Sequence, residues 1–158
     1  MVLPTLPKGV EYAVKLLICL AFFSGRPVTA AQAARCVRIP PSQAAKMLHF
    51  LSWGGFTRSR RGSKGGYLLR MRPEEIRVAQ VMSLFRPASE QDTDASADPI
   101  LQVWSEASES GERAWEQLTI AELARRTAGQ WHCPTCAEAA VLLRGGQDSK
   151  DEFPGAQS

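Results

Sequence analysis

Two adjacent prolines, Pro40 and Pro41, constrain this chain more than any other feature. Proline lacks a backbone N–H and its ring clashes with the preceding turn, so no helix runs through this point, yet proline suits the first turn of a new helix. Upstream, Thr29 stands three residues before Gln32. In this capping-box spacing, hydroxyl and side-chain amide each satisfy an orphan backbone amide, so a short helix is expected from Ala30 to about Cys36. Downstream, Gln43, Ala44, Lys46, Met47, Leu48 and Leu51 carry a second helix to a stop at Gly54 and Gly55. Val37, Arg38 and Ile39 leave room only for a tight connection. Two short helices joined in this way make a helix-turn-helix, and the second is the recognition helix. On it, Ala44, Leu48 and Leu51 share an inward face, whereas Ser42, Gln43, Lys46 and His49 fall elsewhere.

The flanking segments complete a small domain. Between Val10 and Ser24, Ala13, Leu16, Leu17, Leu20 and Ala21 mark one helical face, and Val14, Ile18 and Phe22 make the opposite side apolar too. Such a helix needs cover on more than one face, in part from a second subunit; Gly25 ends it. Behind the recognition helix, Phe56 to Arg60, a glycine-rich turn from Arg61 to Gly66, and Tyr67 to Leu69 form a β-hairpin. A hairpin in this position is a wing. Pro73, Glu74 and Glu75 then open a short helical segment through Ile76, Val78, Val81, Met82 and Phe85.

The formal charge of +3 conceals a division, because residues 1–73 hold 12 bases against the single acid Glu11, and residues 74–158 hold 7 bases against 15 acids. No acid occurs between Tyr12 and Pro73, and six bases lie from Arg58 to Arg72. A front half this basic suggests a polyanionic partner, most simply nucleic acid, which for a helix-turn-helix means double-stranded DNA. The plainer reading is mutual attraction of the two halves in aid of folding or solubility. Eight residues, Leu16 to Phe23, make the longest apolar run, against roughly 20 needed to span a bilayer, so no membrane role is expected. Lys8, that run and the triplet Ala31-Gln32-Ala33 superficially suggest a secretory signal, but Glu11, Lys15 and Arg26 interrupt it, so a cytoplasmic protein is expected.

The acidic half reads differently. Residues 86–98 are small, polar and acidic, a linker composition; Asp98 and Pro99 then make a helix start. Ile100, Trp104, Ala107, Gly111, Ala114 and Leu118 recur at spacings of 4, 3, 4, 3 and 4, the seam of a coiled coil, and imply a long helix pairing with its twin in a homodimer. Folding back onto the chain's own winged domain is the alternative. Thr119 and Glu122 repeat the capping-box spacing before a last short helix, Ile120 to Arg126. The domains expected are thus 8–85 for DNA binding, 86–98 as linker, 99–127 for dimerisation, and 128–158 as a tail whose end lacks structure.

Two histidines 83 residues apart support no catalytic triad, and the glycines at 62, 65 and 66 lack the ending of a phosphate-binding loop, so no enzyme is expected. In the tail, His132, Cys133 and Cys136 offer metal or redox chemistry. One C-x-x-C pair supplies two of the four ligands of a closed zinc site, and two pairs across a dimer axis supply four, enough for zinc or an iron–sulfur cluster. A reversible disulfide and an inert pair are the other readings. Cys19 and Cys36 read as structural.

Taken in order, these pieces resemble the Rrf-type family of bacterial winged helix-turn-helix transcription regulators. The resemblance covers roughly residues 10–127 and rests on Glu11-Tyr12-Ala13-Val14, Ala44-Ala45-Lys46-Met47-Leu48, Leu118-Thr119-Ile120-Ala121-Glu122-Leu123, and above all the run from Gly54 to Leu69. It implies a mainly α fold with a small β-hairpin wing and a long C-terminal dimerisation helix, acting as a homodimer on a partly palindromic operator. Many relatives hold an iron–sulfur cluster with three linker cysteines, but residues 86–110 here contain neither cysteine nor histidine. The expected DNA contacts are Thr29, Ser42, Gln43 and Lys46 from the helix-turn-helix and Arg58, Arg60, Arg61 and Lys64 from the wing. Gln43 suits adenine, Lys46 guanine or phosphate, and Arg61 a narrow minor groove. The expected role is a DNA-binding regulator, most simply a repressor; the rival is a winged-helix protein-interaction adaptor without sequence-specific DNA binding.

Overall fold

The computed structural model describes residues 7–23, 25–86, 111 and 113–128. Helix α1 (Lys8–Phe22) is followed by α2 (Ala30–Val37) and α3 (Pro41–Trp53), the strands β1 (Thr57–Arg60) and β2 (Gly66–Leu69), α4 (Val78–Ser83) and α5 (Ile120–Thr127). Residues 113–117 are also helical. The linker beyond residue 86, the dimer-seam positions Ile100, Trp104 and Ala107, and the tail from residue 129 lie outside the described residues.

α1 is the centre of the fold. Both of its apolar sides are buried, with Ala13, Leu16, Leu17 and Cys19 fully enclosed and Val14, Ile18 and Phe22 nearly so. The cover comes from within the chain, since α1 packs against α2, α3, α4, β2 and α5. The sequence had suggested that a second subunit gives part of this cover. Within the chain, α5 contributes to it from almost a hundred residues further along, through Ile120 and Ala124, which share the core cluster of α1.

The helix-turn-helix forms as its punctuation requires. The Gln32 amide donates to Thr29 Oγ1 at 3.2 Å and the Thr29 amide to Gln32 Oε1 at 2.9 Å, closing the capping box. α2 ends where Arg38 turns left-handed at φ 59°, and Ile39 N–H reaches back to Ala34 O at 3.1 Å. Pro40 caps α3 and Pro41 occupies its first turn. Ala44, Leu48 and Leu51 are fully buried, the inward face expected of them.

β1 and β2 pair antiparallel, with Thr57 opposite Leu69 and Arg60 opposite Gly66. A third extended point joins them. Val28, just before α2, exchanges backbone hydrogen bonds with Tyr67 at 3.0 and 2.8 Å, tying the wing root to the start of the helix-turn-helix. Gly66 makes the approach feasible: a Cβ there would lie 2.6 Å from the carbonyl of Val28, on a backbone at φ +151°.

The last elements depart from expectation in two places. Pro73 to Glu75 form a turn rather than the start of a helix, because the Glu75 carboxylate accepts from the Arg72 amide at 3.1 Å and closes it. α4 begins only at Val78, after Arg77 has bridged to Thr119 through Val78 N–H to Leu118 O and Ile120 N–H to Ile76 O, both 2.9 Å. At α5, Thr119 Oγ1 accepts from the Glu122 amide at 3.2 Å, as its spacing predicts. The Glu122 carboxylate binds Arg125 and Arg126 instead of returning to the cap.

Candidate nucleic-acid interface

The recognition helix presents a polar stripe. Ser42, Gln43, Lys46 and His49 are exposed, opposite the buried Ala44, Leu48 and Leu51. Lys46 forms no ion pair among the described residues. Beyond it the stripe turns aromatic: His49 packs on Trp53 with ring centroids 5.2 Å apart, and Trp53 is 78% exposed. Sequence reasoning left Trp53 unassigned, although its place four residues after His49 and seven after Lys46 was a usable signal.

The wing adds the charge. Arg58, Arg60, Arg61 and Lys64 are all exposed, and among the described residues none has an acidic partner. The turn that carries Arg61 and Lys64 is closed by Gly65 N–H to Gly62 O at 2.9 Å. Thr29 is exposed at the N-terminus of α2, and the Val28–Tyr67 bridge fixes it beside the wing root. All eight residues expected to meet DNA therefore belong to one connected unit: α2 packs on α3, α3 on β1, and β1 pairs with β2. Arg35, Arg38 and Arg70 are further exposed cations of the same acid-free segment that the motif-based reading passed over.

Among the described residues, two acids are held by cations of their own helices. Glu11 sits between Lys15 at 2.5 Å and Lys8 at 3.0 Å, and these bonds, Lys15 first, hold its carboxyl below the usual range. Arg125 and then Arg126 do the same to Glu122. Among the described residues no acid pairs with the cations of the helix-turn-helix and wing, the distribution that draws a phosphate backbone.

The expected dimer seam is only partly described. Gly111 and Ala114 are exposed, as is Trp115, while Leu118 is half-buried against the chain's own core. No helix among the described residues is long and apolar enough to cross a membrane.

Comparison with known proteins agrees with this geometry. The family model Rrf2, described as iron-dependent transcriptional regulator, matches residues 6–126. An HTH-type transcriptional regulator of Aquifex aeolicus (strain VF5) is 34% identical over 79 residues, 50% of this chain and 55% of that protein, so the chain spans about half the length of the curated relative it matches. Among solved structures, CymR of B. subtilis, the global cysteine regulator of that organism, is similar with a TM-score of 0.68 at 20% identity, over 79% of this chain and 99% of that one. IscR of T. potens gives a TM-score of 0.65 at 22% identity over 78% and 88%. Staphylococcus aureus CymR gives 0.62 at 25% identity over 75% and 96%. These likenesses establish the mainly α winged-helix fold with its two-stranded hairpin.

The family description raises the question of iron. No group of three or more His, Cys, Asp or Glu side chains gathers among the described residues, Glu11 is committed to two lysines, and Cys19 and Cys36 are buried in the core. The described residues thus do not form an iron site. His132, Cys133 and Cys136 lie outside them.

Proposed function

Because the chain belongs to the Rrf2 family of DNA-binding transcriptional regulators, we propose that it acts as a homodimer that represses transcription by occupying a partly palindromic duplex operator. The observation that carries this is the junction of an exposed recognition stripe, Ser42, Gln43 and Lys46, with a wing of four cations free of ion pairs among the described residues. α3 enters the major groove by its N-terminal turns, where Gln43 pairs with adenine through its amide and Lys46 with guanine or a phosphate. The wing lies along the flanking backbone, with Arg61 at its tip directed to the minor groove. Thr29 and the first amides of α2 meet a phosphate from the other side. Phosphate neutralisation provides affinity, and the few base-facing side chains provide choice. Residues 8–85 are the DNA-binding unit, and residues 99–127, through Ile100, Trp104, Ala107, Gly111, Ala114 and Leu118, pair the two copies.

Duplex binding measured against salt concentration tests this reading. Salt-sensitive, sequence-selective binding is expected, and Arg61→Ala weakens it while reducing the log–log salt slope by about one. An adaptor would show neither selectivity nor slope. Unchanged affinity and slope in Arg61→Ala would remove the wing from the interface.

A further inference from the structure

Thr57 is the one buried polar residue of the described core, 2% exposed, and it is the first residue of the wing. Its hydroxyl faces the flank of α3: Oγ1 lies 3.1 Å from the carbonyl oxygen of Leu48 and 2.7 Å from Ser52 Oγ. Ser52 Oγ is itself 2.9 Å from the same Leu48 carbonyl. Two hydroxyl protons serve these three short contacts, so two bonds form at a time. Thr57 donates to Ser52 and Ser52 to Leu48, or Ser52 donates to Thr57 and Thr57 to Leu48, or both donate to the two lone pairs of the Leu48 carbonyl. In each arrangement the hydroxyl of Thr57 links β1 to α3.

That link spans a joint. Between Trp53 and Phe56 the chain consists of Gly54 and Gly55, the latter at φ +82°, a stretch with little stiffness of its own. The backbone bond from Phe56 N–H to Leu51 O, 3.0 Å, closes the turn but stops one residue short of the wing. Leu48 lies only two residues from Lys46. From this geometry we infer that the Thr57 hydroxyl, shared with Ser52 and the Leu48 carbonyl, is a positioning device that sets the wing against the recognition helix, so that both engage one duplex together. The inference rests on the DNA-binding reading above and adds to it the part that fixes the relative placement of the two elements.

The two hydroxyls differ in what their loss does. Ser52→Ala leaves Thr57 donating to Leu48, so the link survives. Thr57→Val, nearly the same shape, leaves Ser52 donating to Leu48, so no acceptor is orphaned, but nothing polar crosses the joint to the strand. Thr57→Ser retains the donor. Amide hydrogen–deuterium exchange of the wing, residues 57–70, reads the placement without DNA, and operator binding reads its consequence. The expected result is faster exchange in the wing of Thr57→Val with α1 unchanged. Its operator affinity should fall about three- to tenfold, one hydrogen bond expressed as affinity, with a shallower salt slope. Thr57→Ser and Ser52→Ala should match the wild type. Wild-type exchange in Thr57→Val, faster exchange spread over α1 as well, or equal loosening in Ser52→Ala would each overturn the positioning role. Failure of the wild type to bind any duplex selectively would overturn the DNA-binding reading, while exchange would still decide whether the link holds.

Discussion

α1 and the wing are built on opposite plans. α1 buries ten of its fifteen residues and touches nearly every other element; the wing spans two four-residue strands and contributes only Thr57, Leu68 and Leu69 to the interior. Stability and charge are thereby kept apart. An arginine on a strand that sends one side chain inward costs little beyond repulsion from its neighbours, which is how cations without an acidic partner among the described residues can accumulate on the wing. α1, by contrast, carries its two cations with an acid between them, Lys8 and Lys15 around Glu11.

The sharpest way to break this division is inside α1. Leu17 is fully buried, so Leu17→Ala should lower the stability of the fold by about 2–5 kcal/mol, read from the denaturant midpoint. DNA affinity of the fraction that remains folded should be unchanged. A loss below about 1 kcal/mol would deny α1 its central place. A smaller effect is expected where the wing touches the core. Gly66→Ala forces a Cβ against the Val28 carbonyl on a backbone that disfavours side chains, and should cost about 1–3 kcal/mol. It should loosen the Val28–Tyr67 bridge and weaken operator binding with it. If stability falls and binding does not, the wing root and its tip act independently.

The least effect belongs to Glu11. Its carboxyl is held below the usual value by Lys15 and Lys8, so its stabilisation is full above the unfolded-state value of about 4.3 and disappears as pH falls through the lower folded value. Melting temperature should therefore decline on acidification through that window. Glu11→Gln should flatten this part of the decline, leaving the similar contribution of Glu122 in place. An unchanged acid limb would mean that the pairs with Lys8 and Lys15 do not persist in solution.

The same contrast explains what could be read before the structure. Local chemistry was legible: the Thr29–Gln32 box, the proline start of α3 and the glycine turn of the wing each need only neighbouring residues, and each formed as its residues required. Exposure of the eight predicted contact residues followed from helix periodicity and charge. Long-range pairing was not legible. Nothing near α1 in the chain announces that α5 packs against it, and nothing at Pro73-Glu74-Glu75 reveals that Arg77 bridges to Thr119 before α4 begins. Glu122 had two suitors, the cap and the arginines one turn on, and spacing alone did not rank them. Thr57 escaped notice because a threonine opening a strand is ordinary until its neighbours across the joint are known.

The Arg77–Thr119 bridge has a consequence for how this molecule can vary. Around it, Leu118 O accepts from Val78 N–H, Ile120 N–H donates to Ile76 O, and Ala121 N–H donates to Pro73 O at 3.1 Å. Both segments thus stand on the same body. Because these bonds join backbone atoms only, the junction is indifferent to which side chains stand on its outer face, and exchange of the exposed Arg77 leaves it in place.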